Sequence, residues 1–314
     1  MSEQRATGAI ESILPQIRDY EYETVCGAVE KTEKDFPTKY EIPKENTGAL
    51  KDQGSVGACV AEVVSQIAQQ LWKKELGDNE EFSEGYAYGT LRQPNSTHTG
   101  LFTNQAMQKW TEIGTVPKKY FDMLEEMPEL KKLVDKFPNL LEIASKYTIS
   151  GYVSFKYAKD KDLLIKDALM KYNYGLVGVS NNYFRESHCI QIVGWDDEKD
   201  TYRFKNSWGA DYGEEGYSDI PKSELDECYL PLLSEIQLPF KDVSKDDWFY
   251  KYVKHVYFSG LMKGTSEDTF EPEKPLTRAE AATLIYNVVK NIDSNSEKIN
   301  DLLNYKLDNK ANKK

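Results

Sequence analysis

The sequence predicts an α+β fold, helices first and antiparallel strands second, and three observations carry that prediction. Apolar residues between Val60 and Tyr172 recur at the helical period. From Gly175 the pattern changes to short apolar runs bounded by turn formers, the signature of strands. After Phe240 it returns to two helical patterns around a turn rich in Gly and Pro. Helices followed by strands is the order of a fold with two segregated lobes. The chain divides into an N-terminal extension (1–33), a main domain (34–235), a small C-terminal module (240–290) and a loose tail rich in Asn, Lys and Asp (291–314).

Each element has a local reason. A short helix is expected near Ile10–Ile17, and Phe36 to Pro43 reads as an extended entry strand. Val60, Val63, Val64, Ile67, Ala68 and Leu71 form one helical face from Cys59 to about Leu76, with Gly77 as its stop. Helices follow at Glu84–Leu91, Thr103–Ile113 and Asp162–Tyr172, with a Pro-broken one over Leu130–Tyr147 and a polar loop at Gln93–Gly100. Strands are expected at Leu176–Val179, Cys189–Val193, Tyr202–Phe204 and around Tyr217.

The totals exclude several classes. With 314 residues, 39% hydrophobic and 12% aromatic, the chain can bury one good core and one smaller one. A net charge of −12 argues against nucleic acid or an anionic membrane surface as the main partner. No apolar run reaches the roughly eighteen residues of a membrane span. Met1 to Asp19 lacks the basic-then-apolar pattern of a secretory signal. Cys26, Cys59, Cys189 and Cys228 are spaced too widely for a zinc ribbon and too few for a disulfide scaffold, so neither metal nor cofactor is called for.

Cys59 opens a helix, where unpaired N–H groups and the helix dipole favour a thiolate. His188 follows it by 129 residues and Asn206 lies 18 further on. The midpoint of 188 and 206 falls in Asp196–Asp200, a run of turn formers. A hairpin closing at 197 sets Ile192 opposite Tyr202, Ile190 opposite Phe204 and His188 opposite Asn206, all on one face. A one-residue slip breaks the arrangement.

Gln53-Gly54-Ser55-Val56-Gly57-Ala58-Cys59, Ser187-His188-Cys189, Lys205-Asn206-Ser207-Trp208-Gly209 and Gly213–Tyr217 resemble the papain-like cysteine peptidases, whose His and Asn lie about 130–150 residues past the Cys. The resemblance covers roughly residues 34–235 and implies a two-lobed fold, a helical lobe against an antiparallel β-sheet or barrel lobe, with the cleft between. It implies catalytic Cys59, His188 and Asn206, an oxyanion hole from Gln53 and the Cys59 N–H, a tight loop allowed by Gly54 and Gly57, and Trp208 shielding the His–Asn bond. Glu186 and Cys189 flank His188 as lining for a specificity pocket, or as a solvated Glu and a core Cys. Protein or peptide is the implied substrate, and endopeptidase the implied activity. Four departures stand out: Val56 replaces a disulfide Cys, Val60 a Trp, Glu62 an apolar or aromatic residue, and no Cys-plus-double-Gly loop is recognisable near Asn95–Leu101. The inhibitory propeptide of such enzymes is longer than residues 1–33, so the chain lacks that control or uses another. His98 and His255 read as surface residues, and Asn95-Ser96-Thr97 fits a glycosylation sequon.

Phe240-Lys241-Asp242-Val243, Trp248, Gly260–Gly264, Phe270-Glu271-Pro272 and Leu276-Thr277-Arg278-Ala279-Glu280 resemble a single S-layer homology (SLH) domain. A helix is expected over Trp248–Phe258, and Thr277 with Glu280 forms a capping box for a second. The resemblance implies that Arg278, with Trp248, binds a secondary cell-wall polymer. Such domains occur in threes, which suggests a homo-trimer of this chain. It points to the cell surface or wall, while the absence of a signal leaves the cytoplasm or a phage particle open. Two rival functions stand beside the peptidase: a catalytically silent papain-like domain used for adhesion or assembly, and a cytosolic or virion-borne processing peptidase.

Overall fold

A computed structural model describes residues 7, 9–10, 22–77, 79–92, 100–124, 134, 136–137, 139–156, 158–233, 238–258 and 262–286. The chain forms two units, one of Met1–Glu11 with Cys26–Glu235, the other of Ser12–Val25 with Ile236–Lys314. The strands are β1 (Ala9–Ile10), β2 (Lys39–Glu41), β3 (Leu101–Phe102), β4 (Gly151–Ser154), β5 (Leu176–Ser180), β6 (His188–Asp196), β7 (Thr201–Lys205), β8 (Tyr217–Pro221) and β9 (Glu227–Leu232). The helices are α1 (Tyr22–Cys26), α2 (Cys59–Leu76), α3 (Glu84–Thr90), α4 (Thr103–Ile113), α5 (Asn139–Ala144), α6 (Lys161–Tyr172) and α7 (Tyr250–Phe258).

In the larger unit a seven-stranded sheet runs β4-β9-β5-β6-β7-β8, with β2 added to β6, and every pairing is antiparallel. Helices α2 to α5 precede most of this sheet in sequence, giving the expected α+β order. The apolar stripe of α2 packs as its period requires, and Gly77 ends the helix in a left-handed conformation. The opposite face of α2 is buried as well. Gln66, Gln69 and Gln70 each bond backbone from that face: Gln66 Nε2 reaches Ala49 O, Gln69 Oε1 accepts from Ala49 N–H at 2.6 Å, and Gln70 bridges Thr47 O and Gly175 N. Buried glutamines here substitute for water in satisfying loop backbone, each bond adding about 1 kcal/mol.

The hairpin register differs from the midpoint expectation. The turn occupies residues 197–200, and β6 pairs β7 as Asp196↔Thr201, Trp195↔Tyr202, Ile192↔Phe204 and Gln191↔Lys205. Neither Ile192–Tyr202 nor Ile190–Phe204 forms. A straight ladder from this turn would put His188 and Asn206 on opposite faces, because their parity would be wrong. An irregularity between Ile192 and Gly194 adds one residue to β6 and restores the shared face. Gly194 also lets β2 come close: a Cβ there would lie 2.2 Å from Tyr40 O. His188 thus meets Asn206 as a diagonal neighbour instead of a directly opposed one.

Other expectations are refined. Ala9–Ile10 is a strand where a helix was expected, and the rest of Ile10–Ile17 lies outside the described residues. The Leu130–Tyr147 region contains α5 and a 3₁₀ turn over Ser145–Tyr147, with 130–133 outside the described residues. The Asn95–Thr97 sequon, His98, the side chain of His255 and the tail 291–314 lie outside them too. Among the described residues no helix is long and apolar enough to cross a membrane, and no cluster of His, Cys, Asp and Glu is arranged to hold a metal.

The smaller unit packs Phe240, Val243 and Val253 against Phe249, Tyr257 and Phe270. Asp242 accepts the backbone N–H groups of Phe270 and Glu271 at 2.9 and 2.7 Å, pinning the later turn to the start of the unit. The capping box is formed: Glu280 Oε2 accepts from Thr277 N–H at 2.8 Å, and Thr277 Oγ1 accepts from Glu280 N–H at 3.2 Å.

Candidate active site

Residues 51–58 form a tight loop that delivers the chain to the first residue of α2. Two backbone bonds tie it to the segment after β7: Gln53 N–H donates to Ser207 O and Gly209 N–H donates to Lys51 O, both at 3.0 Å. Asp52 and Trp208 form an antiparallel bridge between the same segments. Within the loop, Gly54 takes a positive φ (56°) and Gly57 does not, so only the first of the two glycines is demanded by conformation. Cys59 then stands at the start of α2, fully buried.

Cys189 N–H donates to Cys59 Sγ at 3.4 Å, which places the sulfur against the start of β6. His188, the first residue of that strand, contacts Asn206 Oδ1 through Nε2 at 2.8 Å. The same oxygen accepts from Ser207 N–H at 2.8 Å, so it is an acceptor and His188 Nε2 must carry the proton. This tautomer leaves Nδ1 as the basic nitrogen, and Nδ1 has no hydrogen-bond partner among the described residues. Trp208 stacks on the imidazole at 4.5 Å and Phe184 meets it edge-on at 4.8 Å. Asn206 N–H is held by Gly216 O at 2.9 Å.

The structure therefore brings Cys59, His188, Asn206, Gln53 and Trp208 into one neighbourhood. Burial pushes His188 down to about 4, with the Asn206 bond working against it. An imidazolium in this site needs a nearby negative charge to offset desolvation, and a thiolate at Cys59 is such a charge. Burial and the neighbouring Cys59 raise the Cys189 thiol well above its ordinary value, which suits an inert buried residue better than a nucleophile.

Glu186 is exposed, and its Oε2 accepts from Thr7 Oγ1 at 2.6 Å. The N-terminal segment continues from there into β1, which pairs in parallel with β3 as Ala9↔Leu101 and Ile10↔Phe102, with Ala9 buried. Thr7 is thus tied to Glu186, two residues before His188, and Ala9–Ile10 to the strand Leu101–Phe102.

Two buried titratable side chains lie close to Cys59 and Asn206 along the chain. Glu62, one turn into α2, has an Oε2 without a hydrogen-bond partner, and burial with the nearby Glu84 pushes its carboxyl up to about 8. Lys51 and Lys118, which pair with Glu84 at 3.1 and 3.0 Å, moderate that shift. Lys205, just before Asn206, donates to three successive carbonyls, Thr47 O, Gly48 O and Ala49 O, at 3.0, 2.6 and 3.1 Å. Burial, with Lys51 nearby, lowers its ammonium to about 7.

Phe184 escaped the sequence reading. Its signal was an aromatic residue in the loop four residues before the His, which one sequence cannot separate from a surface Phe. In the smaller unit Arg278 is exposed, as is Trp248, which packs against Phe249 and Tyr252 at 5.5 and 6.4 Å.

A Cys on a helix start beside a His–Asn pair, within a helical lobe and an antiparallel sheet lobe, defines a papain-like architecture. Residues 36–233 match the model of the papain family cysteine proteases, and the chain belongs to that family. Residues 239–282 match the S-layer homology domain. Among curated proteins, the gamete and mating-type specific protein A of Dictyostelium discoideum is 24% identical over 59% of this chain and 42% of its own length. A cysteine protease of Blomia tropicalis is 23% identical over 55% of this chain and 57% of its own. The chain thus spans about half the length of these relatives. The surface-layer 125 kDa protein of Lysinibacillus sphaericus is 39% identical over 56 residues, 18% of this chain and 5% of its own. Xylellain, a cysteine protease from Xylella fastidiosa, shares the fold with a TM-score of 0.58 at 22% identity, covering 73% of this chain and 96% of that one.

Proposed function

We propose that this chain is a cysteine endopeptidase acting through Cys59, His188 and Asn206 and carried on a wall-binding module. The observation that supports it is the His188 environment: Nε2–H committed to Asn206 Oδ1 at 2.8 Å, Nδ1 unpartnered, and the Cys59 sulfur bonded by the next residue's N–H at 3.4 Å. The Cys59 thiolate attacks the peptide carbonyl carbon. The oxyanion is met by the Cys59 N–H and the Gln53 amide. His188 gives its proton to the leaving amine, and an acyl-enzyme thioester forms. His188 then takes a proton from water, which attacks the thioester and returns the free thiolate with a carboxylic acid product. Glu186 and Cys189 line the neighbouring specificity pocket.

Cys59 and His188 are wholly inaccessible in this structure. Thr7, bonded to Glu186, and Ala9–Ile10, paired with β3, support the reading that the N-terminal residues cover the cleft of a resting enzyme and leave when substrate enters.

In the smaller unit Arg278 offers a planar fork for carboxylate groups of a secondary wall polymer, and Trp248 a flat apolar face. Three chains joined through these units would build the threefold arrangement, placing the peptidase at a cell surface or wall.

Treatment with an epoxysuccinyl thiol inhibitor, with Cys59→Ala as control, tests the enzyme. An adduct at Cys59 and loss of peptide cleavage are expected. Adducts at Cys26, Cys189 or Cys228 alone, without cleavage, favour a silent adhesion domain. Sedimentation of purified wall with and without Arg278→Ala tests the module, and a monomer at micromolar concentration refutes the trimer.

A further inference from the structure

None of the four cysteines is joined in a disulfide, and two of them meet at the site. The pairing of β6 with β7 ends at Gln191↔Lys205, and two residues nearer the strand's start the Cys189 N–H is given to Cys59 Sγ at 3.4 Å. The Cys189 Cα is one bond of about 1.46 Å beyond that nitrogen, so it lies within about 5 Å of the Cys59 sulfur. A disulfide joins residues whose Cα atoms stand about 4.4–6.8 Å apart, a reach that this approach allows. The other two cysteines are placed elsewhere. Val179 of β5 pairs with both Cys189 and Glu227, so those three side chains share one face of the sheet and Cys228 stands on the other. Cys26 accepts from the Tyr172 O–H at 3.1 Å, at the last residue of α6.

We propose that Cys189 is a resolving thiol for Cys59: peroxide oxidises the nucleophile, and Cys189 traps it as a disulfide that a dithiol reverses. This rests on the reading of Cys59 as a thiolate nucleophile paired with a protonated His188. Peroxide enters by the opening that admits substrate. The Cys59 sulfur attacks one peroxide oxygen, the S–O bond forms and the O–O bond breaks. Hydroxide leaves and becomes water with the proton that His188 holds. Cys59 is then a sulfenic acid, oxidised by two electrons. The Cys189 sulfur attacks the Cys59 sulfur, the S–S bond forms and the S–O bond breaks. The departing hydroxide takes the Cys189 proton and leaves as water. Two thiols and one peroxide thus give one disulfide and two waters.

The surroundings of Cys189 enforce this order. In the reduced chain burial, and after it the charge at Cys59, keep the Cys189 proton in place, so the thiol is inert. A sulfenic acid is neutral, and the opposition from Cys59 ends only once that residue is oxidised. Without a resolving thiol, further peroxide carries the sulfenic acid to a sulfinic acid, which dithiols do not reduce.

The test treats the full chain with hydrogen peroxide and then with dithiothreitol. Wild type is expected to lose peptide cleavage, to lose the mass of two hydrogens and to give a Cys59–Cys189 cross-linked peptide in a non-reducing digest. Dithiothreitol should restore its cleavage. Cys189→Ser should also lose cleavage, but gain the mass of two oxygens at Cys59 and recover nothing with dithiothreitol, each protein being read against its own untreated rate. Cys228→Ser should behave as wild type. Full recovery of Cys189→Ser, a sulfinic acid at Cys59 of wild type, or a Cys59–Cys228 cross-link overturns the proposal. Should the serine variant not fold, the wild-type digest alone decides. A wild-type chain that cleaves no peptide before oxidation refutes the reading of Cys59 as a working nucleophile, while its digest still reports separately on the disulfide.

Discussion

Glu62→Gln is a sharp perturbation of this protein, because it changes one proton's worth of charge and almost no volume. Glu62 is buried in the first turn of α2, and Glu84 and Asp52 on adjoining segments oppose its charge while Lys51 and Lys118 favour it. Its carboxyl moves from 4.5 to about 8. A folded-state value above the unfolded one means that the folded chain binds this proton more tightly. The stability this confers is complete below pH 4.5 and is lost as pH rises to about 8. At 1.36 kcal/mol per unit, a shift of this size corresponds to roughly 3–5 kcal/mol. Lys205 and His188, whose folded-state values are depressed, add stability over the same range in both proteins. The observable is therefore the difference between the two, and wild type should lose stability relative to the variant between pH 5 and pH 9. Glu62→Gln keeps a neutral amide there, so this relative loss should be roughly 10 °C for a domain of this size. The assay is thermal unfolding by circular dichroism of both proteins at the two pH values, at one ionic strength. An equal change on substitution at pH 5 and pH 9 would refute the reasoning, because the effect would then come from shape or hydrogen bonding and not from charge.

Three further outcomes are expected. In Cys59→Ala no thiolate is present, so the His188 ring should remain neutral down to about pH 4, followed by the proton chemical shift of its ring; titration near 6.5 would show the ring to be less buried than described. Trp208→Ala exposes the His188–Asn206 bond to water and should lower kcat/KM about tenfold or more while Cys59 stays reactive to alkylation; an unchanged kcat/KM refutes the shielding role. Removing residues 1–11, or Thr7→Ala with Ala9→Glu, should raise the initial alkylation rate of Cys59, because the bond to Glu186 and the pairing with β3 are lost; no change means that these residues do not cover the cleft.

The candidate site was legible in the sequence because its parts lie in short segments whose local chemistry is set by neighbours along the chain: a Cys at a helix start, a Gly-rich loop before it, an Asn beside a Trp. The helix from Cys59 to Leu76 and its Gly77 stop were legible for the same reason. The hairpin was read to the correct face by an incorrect register. The turn spans 197–200 and an extra residue between Ile192 and Gly194 corrects the parity, so two offsets compensated. A bulge leaves little mark in composition beyond a Gly, and Gly194 is explained equally by the close approach of β2.

By itself, then, the sequence determined the α+β order, the two modules and the residues able to carry thiol chemistry, because periodicity and short motifs are local properties. Only the tertiary structure decided that the polar face of α2 is buried on loop backbone, that Phe184 and Trp208 wall in His188, and that Thr7 bonds Glu186 while Ala9–Ile10 pairs with β3. It also decided that Ser207 grips the Gln53 amide 154 residues away. Each of these joins segments far apart in the chain, and such contacts are fixed by packing and by the need to satisfy buried polar groups, which no local pattern encodes.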